Sequence, residues 1–194
     1  MDRASELALV SRLRAGDSRA FDEVYDAYRS RVFGFLVRLA RNRDVADDLL
    51  EETWLKLVTH VQHLAPDTRL GPWLFTVARN LYWSYCRSRR LEEESAATLI
   101  GLWPVPSPSP SPFDEAVAHE LDERVERGFA LLPAMYREVL WLVAVENLTP
   151  LEAAHVCGVK PDALRQRLSR ARAMLARLLD DRVDHSPEVT GGRE

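Results

Sequence analysis

Arginines and small polar side chains near the C-terminus are spaced in a way that suits contact with a nucleic acid. Between Lys160 and Arg177 the sequence has six bases and one acid. On a helical wheel Asp162, Gln166 and Ser169 form one strip, which arginines flank on both sides. Such a helix would place amide and hydroxyl groups against base edges and guanidinium groups against phosphates. The candidate contact residues are Lys160, Asp162, Arg165, Gln166, Arg167, Ser169, Arg170 and Arg172.

A second basic stretch carries aromatic side chains. From residue 79 to residue 90 there are four arginines and no acid. The predicted outward face of this helix has Trp83 in its middle and Tyr82 at its edge, among Arg79, Asn80, Arg87 and Arg90. An aromatic ring among cations is suited to stack an unpaired base, so this face fits a single DNA strand better than a duplex. Packing of Trp83 under a linker or against a second domain is the alternative.

Acidic residues crowd the start of another helix. Five carboxylates lie between Asp44 and Glu52, with apolar residues between them. Acids at a helix N-terminus are favourable by themselves, because they complement the helix dipole. A surface that binds a protein partner is the other interpretation of the same residues.

Helices should position all of these groups, because apolar residues recur at intervals of three and four and no strand pattern is found. The expected helices cover about 7–13, 21–39, 49–61, 72–90, 114–131 and 134–146. Thr149-Pro150-Leu151-Glu152 then predicts a capped helix start, and Gly158 predicts the end of that helix. A short helix, a turn with glycine and a longer basic helix from Pro161 have the layout of a helix-turn-helix motif.

Composition indicates two domains. Five of the 11 prolines lie in residues 104–112, a Pro-Ser repeat through which neither helix nor sheet can continue. Acids surround it, with nine acids and one base between Glu92 and Glu126. We therefore expect an all-α chain with domains at 1–94 and 114–181. An extended Pro/Ser-rich acidic linker would occupy 95–113, and a flexible tail 182–194.

Several other classes of function are disfavoured. With 194 residues, 46% of them hydrophobic, the chain can bury one core or two small ones. It has no stretch apolar enough to span a membrane and no N-terminal signal-peptide pattern. Two cysteines cannot form a disulfide framework or a Cys-rich zinc site, and no catalytic or nucleotide-binding motif is found. We expect a cytoplasmic protein that is not an enzyme and needs no cofactor, metal or small-molecule substrate.

Three stretches together resemble the extracytoplasmic-function (ECF) sigma factors of the sigma-70 family. They are Ala46–Leu57; Pro72–Arg90, with Trp-Leu-Phe-Thr-Val-Ala-Arg-Asn-Leu; and Leu132–Leu179, with Leu-Pro-Ala-Met-Tyr-Arg-Glu-Val-Leu and Arg-Gln-Arg-Leu-Ser-Arg-Ala-Arg. The likeness covers about residues 7–94 and 125–180, in the order of the two conserved sigma domains. It implies a sigma2-like helical bundle followed by a sigma4-like helix-turn-helix domain.

The resemblance also implies a function and partners. Such an alternative sigma factor binds core RNA polymerase at the β′ clamp helices and the β flap, directs it to promoters and helps to melt the DNA. An anti-sigma factor is a common further partner in the family. The residues that match the polymerase-binding surface are Asp48, Leu49, Glu51, Glu52, Trp54 and Leu55.

The family pattern assigns the DNA contacts as well. Arg79 and Asn80 match the helix that recognises and melts the −10 element, so the whole outward face described above becomes the −10 candidate. A loop at about 62–71 matches the one that captures a flipped base. The helix 161–178 matches the reader of the −35 duplex.

Some positions depart from the family pattern. The family usually has Gln in place of Glu51, Phe in place of Trp54, Asp in place of Ser84 and less aromatic residues at Tyr82 and Trp83. These departures bear on promoter specificity rather than on the class of protein. Two other functions stay open: an independent helix-turn-helix regulator that binds DNA without polymerase, and a sigma-like module that sequesters a regulator. Dependence of DNA recognition on core polymerase separates them.

Overall fold

Eight α-helices form the described part of the chain in a computed structural model, which describes residues 3–99 and 123–180, with side chains for 3–91 and 125–180. The helices are α1 Arg3–Arg14, α2 Ser18–Ala40, α3 Arg43–His60, α4 Leu70–Leu99, α5 Glu123–Leu131, α6 Ala134–Leu140, α7 Pro150–Cys157 and α8 Pro161–Asp180. A 3₁₀ turn, Val61–His63, follows α3, and a π-helical turn, Trp141–Val145, follows α6. The all-α prediction is confirmed.

Parts of the predicted organisation lie outside the described residues, namely the Pro-Ser repeat at 104–112 and the tail at 182–194. Within the residues that the structure describes, no helix is long and apolar enough to cross a membrane.

α4 is longer than the sequence pattern predicted. The apolar repeat suggested an end near Arg90, but the helix continues to Leu99. Residues 91–99 contain no proline or glycine and consist largely of good helix formers, so nothing in them ends a helix. The part of the expected linker at 95–99 is therefore helical.

The first four helices pack into a bundle around apolar side chains from each of them. The fully buried residues include Val10 of α1, Phe35 and Leu36 of α2, Leu57 of α3 and Phe75 of α4. The rings of Phe35 and Phe75 meet edge to face, with their centroids 5.4 Å apart. This core fixes α3 and α4 side by side.

A buried carboxylate ties α1 to the start of α4. Glu6 is 6% exposed, and its Oε1 accepts the backbone N–H of Leu70 at 2.8 Å. The start of a helix has unpaired N–H groups and a positive partial charge, and a carboxylate satisfies both. Arg3 pairs with the other oxygen of Glu6 at 3.0 Å and donates to the Asp67 carbonyl at 2.7 Å.

α5 to α8 form a second bundle, whose α7–turn–α8 unit has the predicted helix-turn-helix form. Thr149 Oγ1 accepts the N–H of Glu152 at 3.3 Å, and the Glu152 carboxylate accepts the N–H of Thr149 at 2.9 Å. Each side chain thereby satisfies an unpaired donor at the start of α7. Gly158 ends α7 with a φ of 62°, in the left-handed region that glycine adopts without strain. Leu164 and Ala171 then bury one side of α8.

The two bundles pack against each other through α2 and α4 of the first and α6 and α7 of the second. Trp141 lies against Gly34 of α2, where a β-carbon would come within 3.4 Å of the indole ring. The Arg38 guanidinium lies over the Trp141 ring, 4.1 Å from a ring centroid. Arg137 donates to the Leu39 carbonyl at 3.0 Å. The contact thus combines aromatic packing with charged and hydrogen-bonded groups.

Replacing Thr149 by alanine removes the cap of α7 and should lower the free energy of unfolding by about 1 kcal/mol. Thr149→Ser keeps the hydroxyl and should stay close to the wild type. Urea unfolding followed by circular dichroism measures both variants. Equal stability of all three proteins would show that the cap contributes nothing measurable.

The Glu152 carboxylate should make the stability depend on pH. Burial acts to raise its pKa, but hydrogen bonds from Thr149 and the charge of Arg69 outweigh burial and bring the pKa below its ordinary value of 4.5. A carboxyl group whose pKa is lower in the folded state stabilises the protein above its unfolded-state pKa and loses this contribution as the pH falls. The stability difference between the wild type and Glu152→Gln should therefore shrink as the pH falls below 4.5. A difference that does not change with pH would contradict this.

Candidate nucleic-acid interface

α8 presents the polar strip that the sequence pattern predicted. Leu164, Leu168 and Ala171 are buried, and all the predicted contact residues but one are exposed: Lys160, Asp162, Arg165, Gln166, Ser169, Arg170 and Arg172. They lie at the start of α8 and along its outer side. A recognition helix in a major groove contacts the DNA with residues in these positions. Asp162 and Arg165 form an ion pair with each other. The Asp162 carboxylate therefore has a partner on its own helix before any base is bound.

Arg167 is the exception on α8. Its side chain is half-buried and lines a cleft of about 420 Å³ between the domains, together with Arg79, Asn80, Trp83, Arg87, Met135 and Glu138. The helical wheel placed Arg167 on the flank of the polar strip, beside Arg170. In this arrangement it faces residues of α4, so its contact with a DNA phosphate stays a prediction that requires the cleft to open.

The outward face of α4 meets the second domain. The Nε–H of Arg79 donates to Oε1 of Glu138, and the indole N–H of Trp83 donates to Oε2 of Glu138 at 3.2 Å. The Glu138 side chain is 0% exposed. The sequence left two interpretations of Trp83, base stacking or packing. In the structure Trp83 packs against the second domain. Stacking of a base on Trp83 stays a prediction for separated domains.

The rest of the −10 candidate face is open. Asn80 and Arg87 line the cleft but are exposed, and Arg90 beyond the cleft is exposed as well. Asn80 Oδ1 accepts from the Arg79 guanidinium at 3.3 Å. The basic face of α4 is thus covered at Arg79 and Trp83 and accessible toward its C-terminal end.

Tyr82 is buried, and its placement at the edge of the outward face was wrong. The inner stripe of α4 consists of Leu74, Phe75, Ala78 and Tyr82, which is 7% exposed. Burial raises the pKa of the Tyr82 hydroxyl, which lies close to Arg137 of the second domain. Tyr82 is therefore part of the contact between the domains.

α3 divides the six predicted polymerase-binding residues into two groups. Leu49 and Trp54 are 5% and 7% exposed. Trp54 packs on Tyr25 and Phe21 of α2, with ring centroids 4.9 Å and 6.0 Å away. These two residues hold α3 in place from the inside. The exposed residues of the set, which form the outer face, are Asp48, Glu51, Glu52 and Leu55.

The predicted base-capturing loop at 62–71 lies between α3 and α4. Gln62, His63 and Asp67 are exposed, whereas Leu64 is buried. Arg69, near the end of the loop, pairs with Glu152 of α7. One end of this loop is therefore attached to the second domain.

Sequence patterns did not reveal the acidic residues that contact the first domain. In the described part of the chain, four glutamates of the second bundle pair with arginines of the first, and Glu138 is the most deeply buried of them. The sequence did contain a sign that Glu138 is buried, because Glu138 follows Met135 by three residues and precedes Leu142 by four. It thus lies on the apolar stripe of its helix, where a carboxylate needs a buried partner. The identity of that partner, Arg79, is not encoded in local spacing.

Comparison with known proteins gives one consistent family. Residues 24–92 match the family model for sigma-70 region 2, and residues 122–175 match the one for sigma-70 region 4. The ECF RNA polymerase sigma factor SigM of Bacillus subtilis (strain 168) is 33% identical over 84% of this chain and 97% of its own length. The ECF RNA polymerase sigma factor EcfG of Rhodopseudomonas palustris (strain TIE-1) is 34% identical over 80% of this chain and 84% of its own length.

Solved structures agree with this result. The sigma factor RpoE of Bartonella quintana, in complex with the anti-sigma factor NepR, aligns over 82% of this chain and 96% of its own, with 26% identity and a TM-score of 0.68. CnrH, in complex with the cytosolic domain of CnrY, aligns over 91% and 97%, with 25% identity and a TM-score of 0.59. None of these relatives supports a helix-turn-helix regulator that acts without polymerase. Two sigma-70 regions in this order, the second with its helix-turn-helix, show that the chain belongs to the ECF RNA polymerase sigma factors and is an alternative sigma factor that directs RNA polymerase to promoters.

Proposed function

We propose that this sigma factor binds polymerase, the −10 strand and the −35 duplex through three separate surfaces. The outer face of α3 binds core RNA polymerase, the outward face of α4 takes the −10 strand, and α8 reads the −35 duplex. The observation that carries the proposal is a charged face on each of these helices, in bundles that match region 2 and region 4; the faces of α3 and α8 are exposed, and that of α4 is covered at Arg79 and Trp83.

The outer face of α3 combines negative charge with apolar groups. Leu55 is 64% exposed and Val58 is 55% exposed, beside the carboxylates of Asp48, Glu51 and Glu52. Exposed apolar side chains rimmed by polar ones are typical of a protein-binding surface. The carboxylates would orient a basic partner and speed its association. This face is our candidate for the β′ clamp helices, with the β flap taken by the second domain.

The outward face of α4 has the groups that a melted strand requires. Arg79, Arg87 and Arg90 would follow its phosphates, and Trp83 would stack an unpaired base. Stacking and phosphate contact stabilise the separated strand. The protein thereby promotes melting, because it binds the single strand that melting produces. No nucleotide is consumed in such a step, and we infer that the chain is not an enzyme.

The remaining assignments follow the family. We infer a cytoplasmic location, domains at 1–94 and 114–181, and a linker at 95–113 that lies between acidic residues, begins with the last residues of α4 and enters the polymerase. An anti-sigma factor is a further partner, as NepR is for the related RpoE.

Run-off transcription on a library of upstream fragments tests the polymerase surface. Core polymerase with this protein should give new specific transcripts, and Asp48→Lys/Glu52→Lys should abolish them because the charge of the α3 face is reversed. Asp22→Lys/Asp26→Lys is the matched control, since it reverses two exposed carboxylates four residues apart on α2. The control should transcribe like the wild type. A footprint from the protein alone, with no transcript, would instead support the independent regulator.

Single substitutions on α8 should separate base reading from phosphate binding. Gln166→Ala should cost about 1–3 kcal/mol on a preferred −35 sequence and little on others. Arg170→Ala should weaken binding to all sequences alike and reduce the salt slope by about one. Binding of the holoenzyme to −35 variants at several salt concentrations measures both. A uniform loss with Gln166→Ala would assign that residue to the backbone instead.

A further inference from the structure

Among the residues that the structure describes, four ion pairs join the two domains, and the charges are arranged in the same way in all four. In each pair the arginine belongs to the first bundle and the carboxylate to the second. The pairs, which we name the interdomain clasp, are Arg31–Glu146 and Arg38–Glu126, both at 2.7 Å, Arg69–Glu152 and Arg79–Glu138.

The carboxylates of the clasp have lost most of their contact with water. Their side chains are 0% exposed for Glu138, 3% for Glu146, 10% for Glu126 and 18% for Glu152. A buried carboxylate persists only where a cation compensates for the lost hydration, and here those cations come from the other domain. Separation of the domains would return both partners to water. Because the two bundles match separate family models, residues 24–92 and residues 122–175, we expect the clasp to open without unfolding either one.

Glu138 occupies donors that a promoter strand would need. It accepts from the Arg79 guanidinium and from the Trp83 indole N–H, the two groups at the centre of the −10 candidate face. A guanidinium binds a carboxylate and a phosphate through the same N–H groups. Arg79 therefore cannot give its Nε–H to Glu138 and to a DNA phosphate at the same time.

The clasp covers α4 selectively. Among the predicted −35 residues only Arg167 is turned into the cleft, and Gln166, Ser169 and Arg170 are exposed. The closed arrangement therefore obstructs the strand-binding face and leaves the duplex-reading strip accessible.

We propose that the interdomain clasp is an internal competitor of the −10 strand, and this rests on the proposed role of α4. In the free chain the second domain covers the centre of the strand-binding face, and Glu138 must leave Arg79 and Trp83 before a strand can bind there. Strand affinity is then reduced by the fraction of molecules that are closed.

Arg31→Glu should open the clasp, and it leaves the side chains of the α4 face unchanged. Arg31 is 44% exposed and pairs with the buried Glu146, so the substitution sets two carboxylates against each other. Arg29→Glu is the matched control on the same helix, because the Arg29 guanidinium lies over Tyr25 of its own bundle, 5.8 Å from the ring centroid. Both variants change the net charge equally, which cancels the general effect of charge on DNA binding.

Two measurements on the free chain, without polymerase, compare these variants. Small-angle X-ray scattering should give a larger radius of gyration for Arg31→Glu than for Arg29→Glu at low salt. A fluorescein-labelled pool of random single strands of about 12 nucleotides should bind Arg31→Glu about tenfold more tightly than Arg29→Glu. Glu138→Gln removes the charge that holds Arg79 and should shift both readouts in the same direction.

Equal radii and equal strand affinities in the three variants would overturn the inference, and so would a larger radius without a gain in affinity. Neither measurement uses polymerase, so these results leave the run-off test of the proposed function intact. Conversely, a larger radius together with tighter strand binding would support the clasp. That support would hold even if the run-off experiment gave no transcript and so contradicted the proposed function.

Discussion

A carboxylate without any exposure to water requires a cation beside it, and for Glu138 that cation belongs to the other domain. Much of the described arrangement follows from this requirement. Arg79 and Trp83 turn toward Glu138 and away from solvent, and Arg167 is drawn into the same cleft. Cys157 of the same bundle is buried as well, and burial together with the nearby negative charge of Glu138 raises the pKa of its thiol.

The three proposed surfaces therefore differ in how accessible they are before any partner is bound. The α3 face lies outside the domain contact and exposes Leu55 and Val58 to solvent, so it is available to the proposed polymerase contact. The strip on α8 is exposed except at Arg167. The α4 face alone has its central groups engaged. Such an order fits initiation, in which recruitment and duplex recognition precede contact with a melted strand.

The sequence was informative wherever structure depends on neighbours along the chain. Apolar spacing located the helices, Thr149 and Glu152 predicted the cap of α7, and Gly158 predicted its end, because these features are built within a few residues. Prediction failed where the determinant is tertiary. Tyr82 lies on the buried stripe of α4 next to Arg137 of the second domain, and the partner of Glu138 is 59 residues distant along the chain. Leu49 and Trp54 match the polymerase-binding surface of the family, and their burial could not be read from that match, since the packing of α2 on α3 decides which face is inner.

The distribution of charge in the clasp limits how far either domain could be exchanged for the corresponding domain of a related protein. All four arginines come from one half of the chain and all four glutamates from the other, so each half is matched to the charges of its companion. A hybrid that joined this first domain to a second domain without those glutamates would retain its helices and its DNA-facing side chains. It would, however, have no means of covering Arg79. Promoter recognition would be transferable between such hybrids, whereas restraint of the free protein would be a property of the original pairing.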